Sequence, residues 1–328
     1  MQIILQRKAQ SEIPQLGAKV KDNKMLSGMG SIIPDSVVNK GIWSSLVVGL
    51  GALGLRQRRL LLARLGVIGP HDAEFLADLE SVWSHRAMPD EISRVGPLSQ
   101  DEFHVRFARC GVPVVLTGVA RDWPVMSWTS SFLRERYGSV LLRVRKGGDY
   151  DKMAYASMTI TEYLQGVERG EDFYMANNPV PSPMRADIAF PPYLDSARYY
   201  FEGTRLWIGG DNSGAHLHRD LTDNFLLTVL GRKKILLASP SQTAALYTWE
   251  VHSELTSCKF SALAPDYVRF PKARKARWLT VELVPGDLLY IPCGWYHQVS
   301  NQGLVCSVNF FLRSSCAELP RWHDRKGT

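Results

Sequence analysis

Asn224-Phe-Leu-Leu-Thr-Val229, Leu230-Gly231-Arg232, then Lys233-Lys-Ile-Leu-Leu-Ala238 reads as two apolar strands divided by a Gly-Arg turn. The same texture continues to both sides. Phe173–Ala176, Arg205–Gly209, Ala215–Asp220, Trp278–Leu283, Leu288–Ile291, Tyr296–Ser300 and Leu304–Leu312 are strand candidates. Pro285-Gly286-Asp287 and Asn301-Gln302-Gly303 supply turns between them. Many short strands at this spacing predict a mainly β domain, a sandwich or small barrel, with core strands over about 172–312.

Helices are expected on the N-terminal side of this region. Asp72 can cap a helix carrying Phe75, Leu76, Leu79, Val82 and Trp83 on one face. Ser99 and Glu102 have capping-box spacing ahead of Phe103 and Phe107, and Gly111 closes that helix. Val112 to Thr117 reads as a buried strand, and Thr159 with Glu162 opens a helix bearing Tyr163, Leu164 and Val167. Residues 1–68 differ in texture, with ten Lys/Arg against Glu12, Asp22 and Asp35, and read as an N-terminal extension to a domain over 69–328. Within it Gly49-Leu-Gly51-Ala-Leu-Gly54 matches a dinucleotide-binding spacing. No alternating βαβ pattern follows, so small residues in a helix or turn explain it better.

The chemistry concentrates at His218-Arg219-Asp220. Residues two apart on a strand project to one face, so an imidazole and a carboxylate can reach one point there. Two histidines and a carboxylate make a facial set that leaves three positions open on Fe(II), and His297 is the candidate third ligand. Alternation places His216 on the same face, as a substrate-side neighbour rather than a ligand. Lys233 falls on the face of Ile235 and Leu237, where an inward ammonium needs an anion. The alternative is that Lys234 turns inward and both ammonium groups reach water along their stems.

Taken together, His218-x-Asp220, Asn224-Phe-Leu, Gly231-Arg-Lys233-Lys-Ile-Leu-Leu and Pro240, with His297 ending Pro285-Gly-Asp-Leu-Leu-Tyr-Ile-Pro-Cys-Gly-Trp-Tyr-His, resemble the JmjC-type cupin oxygenases. The pattern is similar to their asparaginyl-hydroxylase branch and its bacterial cupin-like relatives, over roughly residues 95–315. The resemblance implies a double-stranded β-helix that uses Fe(II), 2-oxoglutarate and O2. It implies iron ligation by His218, Asp220 and His297, and pairing of Lys233 with the distal carboxylate of 2-oxoglutarate. It further implies that the Tyr174 hydroxyl bonds that carboxylate and that Asn224 and Asn309 line the cosubstrate pocket. A packed aromatic at Tyr174 and backbone-bonded amides at the two asparagines are the structural alternatives. Relatives often carry Thr where this chain has Ala215. That loss is expected to weaken cosubstrate binding by about 0.5–1.5 kcal/mol.

The implied activity is hydroxylation of an amino-acid side chain in a protein or peptide, with succinate and CO2 as co-products. Alternatives are a small molecule or modified tRNA base as substrate, or a cupin that binds without turnover. The segment 177–200, rich in aromatics and proline, is a candidate lip on the substrate side. The net charge of +7 permits a nucleic-acid partner without demanding one. Five scattered cysteines suggest reduced thiols and a cytoplasmic setting. The longest apolar run, Ile42–Leu55, is too short to span a bilayer. A homodimer would use residues 1–68, because little chain follows Leu312.

Overall fold

A computed structural model describes residues 88–146, 154–194, 203–211, 213–220, 222–252 and 255–312. The expected helix at 72–83, the glycine spacing at 49–54, the boundary at 68 and the extension as a dimer element lie outside them. Thirteen strands carry the described chain: β1 Ser93–Val95, β2 Val114–Leu116, β3 Leu141–Lys146, β4 Ala154–Thr159, β5 Phe173–Pro179, β6 Thr204–Gly209, β7 Gly214–Asp220, β8 Asp223–Ala238, β9 Thr248–His252, β10 Leu255–Cys258, β11 Leu279–Leu283, β12 Leu288–Ile291 and β13 Tyr296–Leu312.

Two long strands organise the rest. The first half of β8 pairs β12 and the second half of β13, while the second half of β8 pairs β11 and the first half of β13. β13 in turn pairs β6 through Val305–Phe310 and β7 through Tyr296–Ser300. One sheet therefore runs β1-β2-β12-β8-β13-β6-β5-β3-β4, and the other carries β11, β8, β13, β7, β10 and β9. Two sheets sharing bent strands form the expected double-stranded β-helix, with helices on the outside.

The sequence reading divided β8 at Gly231-Arg232 and β13 at Asn301-Gln302-Gly303, and the structure corrects both to single strands of 16 and 17 residues. The turn residues are used for a shared bulge instead. Gly231 has φ +74 and Gly303 φ +72, and the β8–β13 register shifts between Gln302 and Cys306. A Cβ at Gly231 would lie 2.3 Å from the Leu304 carbonyl oxygen, so only glycine fits this crossing.

The bulge also explains two hydrophobic cores. Phe225, Leu227, Leu288, Tyr290, Val308 and Phe310 face outward from the larger sheet into one core. That core is completed by helices: Gln100–Phe103 (α1), which continues as a wider turn through Ala108, Ser130–Tyr137 (α2) and Ile160–Glu168 (α3). Both capping boxes are present, Ser99 with Glu102 and Thr159 with Glu162. Leu226, Ile235, Leu237, Val281, Leu289 and Val299 form a second core between the sheets. The one-residue shift at Gly231 lets Leu226 and Ile235 share that inner face although they are an odd number of residues apart.

Three further differences follow from context. The β3–β4 hairpin precedes residue 172, and its clue was the alternation of buried Leu142 and Val144 with Arg143. β9 and β10 are short and gave no periodic pattern. The segment 177–194 packs Val180, Met184, Ile188, Tyr193 and Leu194 into the helix-covered core rather than forming a lip.

Candidate metal centre

β7 and β13 bring the three proposed ligands together. His218 and His297 are direct cross-strand partners, with ring centroids 4.2 Å apart. His297 Nε2 lies 3.7 Å from Asp220 Oδ2, and one ligand atom from each of the three residues lies within 4.8 Å of the others. Each ring is aimed by its own backbone neighbourhood. His218 Nδ1 is 2.6 Å from the His216 carbonyl oxygen, and His297 Nδ1 is 3.1 Å from that of Trp295. A carbonyl only accepts, so both Nδ1 atoms carry the proton and both Nε2 lone pairs are free for a metal. Burial and the neighbouring His218 push the His297 imidazole down to about 4, against the pull of Asp220 and the Trp295 carbonyl. His297 is therefore neutral near pH 7, as a ligand must be. Gly294, whose N–H donates to the Asp220 carbonyl at 2.9 Å, ties the approach of β13 to the end of β7.

Burial alternates along β7 from His216 to Asp220, with Leu217 and Arg219 buried between them. The β7–β13 register shifts between His297 and Val299, which pair His218 and Ala215. The His216 ring is exposed, and it is the carbonyl that reaches the site. No sequence pattern marks this bulge. Ala215 sits opposite Val299 and packs against the inter-sheet core.

Lys233 occupies the same inner face, opposite Leu283 on one side and Asn301 on the other. It is 3% exposed and has no carboxylate partner among the described residues. Burial pushes its ammonium down to about 8, and the nearby Cys306 opposes this. Cys306 is not the missing anion, since burial pushes its thiol up to about 12. Leu237 pairs His297, so Lys233 stands four residues, or about 13 Å of strand, from the metal level. A lysine side chain and a five-carbon diacid together can bridge that distance.

Met175, Phe225 and Phe310 pack into the helix-covered core, so alternation turns Tyr174, Asn224 and Asn309 to the inner face. Tyr174 is buried opposite Gly209, with its ring 6.0 Å from that of Trp207. Asn309 Nδ2 donates to Asn224 Oδ1 at 3.0 Å, so these two amides engage each other and not only the backbone. Asn301 was not foreseen. Its Nδ2 donates to Ser213 Oγ at 2.8 Å, while that hydroxyl donates to the Gly210 carbonyl at 2.6 Å. Asn301 Oδ1 is left buried with no donor.

The donor set fits Fe(II), and a buried ammonium with no carboxylate partner among the described residues fits a small anion. A family model described as a cupin-like domain matches residues 100–318. The chain belongs to the cupin-like domain family. One of its relatives bears the Jumonji C name, in keeping with the motif. Lysine-specific demethylase 8 of Danio rerio is 28% identical over 236 residues, covering 67% of this chain and 58% of that protein. Jumonji C domain-containing protein 5 of Drosophila melanogaster is 25% identical over 239 residues, covering 67% and 59%. tRNA wybutosine-synthesizing protein 5 of Gallus gallus is 25% identical over 236 residues, covering 63% and 72%. The chain thus spans less than two thirds of the first two relatives.

Among the described residues no helix is long and apolar enough to cross a membrane. Among the described residues Cys110, Cys258, Cys293 and Cys306 form no disulfide.

Proposed function

We propose that this cupin-like protein is an Fe(II)- and 2-oxoglutarate-dependent oxygenase that hydroxylates an amino-acid side chain of a protein or peptide and releases succinate and CO2. One observation carries this: two histidines with their Nδ1 atoms occupied and their Nε2 atoms turned to one carboxylate, in a chamber that also holds an anion-deficient lysine. His218, Asp220 and His297 would hold the iron on one face and leave the opposite face for cosubstrate and O2. When bound, the iron supplies activation of O2 coupled to oxidative decarboxylation of 2-oxoglutarate. The chain's own task is orientation and dryness. Lys233 neutralises the far end of the diacid, Tyr174 and the Asn224–Asn309 pair bound its position, and the Leu226, Ile235, Leu237 and Val299 cluster keeps water from the reacting face.

The protein or peptide substrate is supported by relatives whose names specify lysine demethylation. Removal of an N-methyl group and hydroxylation of a carbon begin with the same C–H oxidation, so product mass separates them. The test is incubation with Fe(II), 2-oxoglutarate and O2 against unmodified peptides, methyl-lysine peptides and tRNA. Succinate release stimulated by a peptide that gains one oxygen atom in mass is expected. A peptide losing a methylene unit would assign demethylation, and absence of 2-oxoglutarate turnover in folded, iron-loaded protein would remove the proposal.

A second substrate, a tRNA base, is favoured by one feature. Lys259, Arg269, Lys272, Arg274, Lys275 and Arg277 are all exposed on a segment whose one acid is Asp266. The strands at its two ends lie level with the metal centre: Ser257 pairs His218, and Leu279 pairs Leu237, the partner of His297. A cationic rim there suits phosphates. Stimulation by tRNA alone, lost at raised salt, would establish it.

A further inference from the structure

The side of the sheet behind the metal centre is polar. Arg219 lies between His218 and Asp220 on β7, and Tyr296 precedes His297 on β13. Side chains alternate across a strand, so Arg219 and Tyr296 project from the opposite side of the sheet to the three ligands. They are direct cross-strand partners, one step along the ladder from the pair His218–His297. The Arg219 guanidinium stands 5.2 Å from the centre of the Tyr296 ring, and both residues are fully buried.

Tyr296 carries this contact onward. Its hydroxyl donates to Thr243 Oγ1 at 3.0 Å, and the Thr243 hydroxyl donates to the Pro240 carbonyl at 2.6 Å. Gln298, the next β13 residue on this side, accepts at Oε1 from the Ala262 N–H at 2.7 Å and donates from Nε2 to Ser261 Oγ at 3.0 Å. The two strands that bear the ligands are thus tied from behind to the connection between β8 and β11.

An arginine keeps its charge at any pH a protein survives, so burying it whole is costly. An apolar side chain closes a sheet face at less cost, and Leu217, the preceding residue on this side of β7, does so at 1% exposure. The charge stands instead where both sequence neighbours are metal ligands. Those ligands converge only while β7 and β13 keep their rotation and spacing. Apolar contact is non-directional, whereas a cation over the face of a ring that is itself anchored by a hydrogen bond resists rotation.

We propose that Arg219 is a positioning residue for the metal centre: acting through Tyr296 and Thr243, it holds β7 and β13 in the rotation at which His218, Asp220 and His297 meet. This rests on the iron assigned above. No part of the motif marks Arg219, which fills its unspecified middle position.

The test compares variants at a temperature where each is folded. Calorimetry with Mn(II) gives metal affinity, the visible bands of bound Co(II) report ligand geometry, and melting of the metal-free protein reports stability. Arg219→Met keeps a long stem and removes the charge. It is expected to weaken Mn(II) by about tenfold, the lower end of what losing a ligand's supporting partner costs, and to shift the Co(II) bands. Arg219→Lys returns a cation and is expected to recover part of the affinity. Tyr296→Phe keeps the ring but releases it from Thr243, and is expected to lose less than Arg219→Met. Parental Mn(II) affinity and Co(II) bands in folded Arg219→Met overturn the proposal, and a lowered melting temperature beside them would make Arg219 structural only. If Arg219→Met does not fold, Arg219→Lys and Tyr296→Phe decide by the same two readouts, and parental values in both overturn it. A parent protein that binds neither ion contradicts the iron assignment itself.

Discussion

The two sides of the larger sheet treat buried polarity in opposite ways. On the helix-covered side Asp187 accepts from Trp128 Nε1 at 2.8 Å and from the Tyr137 hydroxyl at 2.6 Å, and Tyr163 donates to the Ile208 carbonyl at 2.6 Å. On the inner side Lys233 lacks a carboxylate, and Trp207 Nε1, Ser307 Oγ, Thr228 Oγ1 and Asn301 Oδ1 lack any partner. Both regions are packed with apolar side chains, so burial alone does not separate them. The named groups on the helix-covered side are satisfied within the protein, and those on the inner side would be completed by a ligand.

The largest effect should come from breaking the metal face. Loss of groups that merely support a metal ligand costs about 10–100-fold in affinity. Asp220→Ala and His218→Ala, which remove ligands outright, should exceed that in a Mn(II) titration while melting near the parent temperature. A large drop in stability with retained metal affinity would make the cluster structural.

Asp187→Ala should do the reverse. It orphans two buried donors, at about 1–3 kcal/mol each, and should lower Tm by roughly 2–4 °C for each kcal/mol in a domain of this size. Metal affinity of the folded fraction should be unchanged. Equal losses in both measurements would erase the distinction between scaffold and site.

Acidity sharpens the comparison. Burial holds Lys233 at about 8 in the free protein, so its charged form prevails below that pH and is lost above it. A bound carboxylate favours the charged form. Affinity for 2-oxoglutarate should thus be flat below pH 8 and fall by up to about tenfold per unit above it, with proton uptake on binding. Lys233→Met should bind weakly and lose this dependence. A parent profile that is level through pH 9.5 would contradict the role of Lys233.

The smallest effect is at Tyr174. Tyr174→Phe should weaken 2-oxoglutarate by about 0.5–1.5 kcal/mol, the worth of one hydrogen bond, with little change in Tm. No change in affinity would leave Tyr174 as a packed aromatic.

What could be read from the sequence divides along the same boundary. Alternation on a strand is local, so the shared face of His218 and Asp220 and the inward aim of Lys233 were visible in short windows. The capping boxes at Ser99 and Thr159 were visible for the same reason. His297 was legible only as a candidate, from the turn and apolar strand that lead to it, because no local rule pairs residues 79 apart. Turn chemistry misled at Gly231 and Gly303, where positive φ serves a bulge between two continuous strands rather than a reversal. The Arg219–Tyr296 pair was beyond reach, since it exists only when two strands are set in register.

The account turns on iron and 2-oxoglutarate sharing the inner chamber. Its most direct test is the visible absorption spectrum of the anaerobic protein with Fe(II), before and after addition of 2-oxoglutarate. A metal-to-ligand charge-transfer band is predicted in the parent, lost in His218→Ala and restored to Lys233→Met only at much higher 2-oxoglutarate. Folded parent protein that shows no band at saturating cosubstrate would contradict the account.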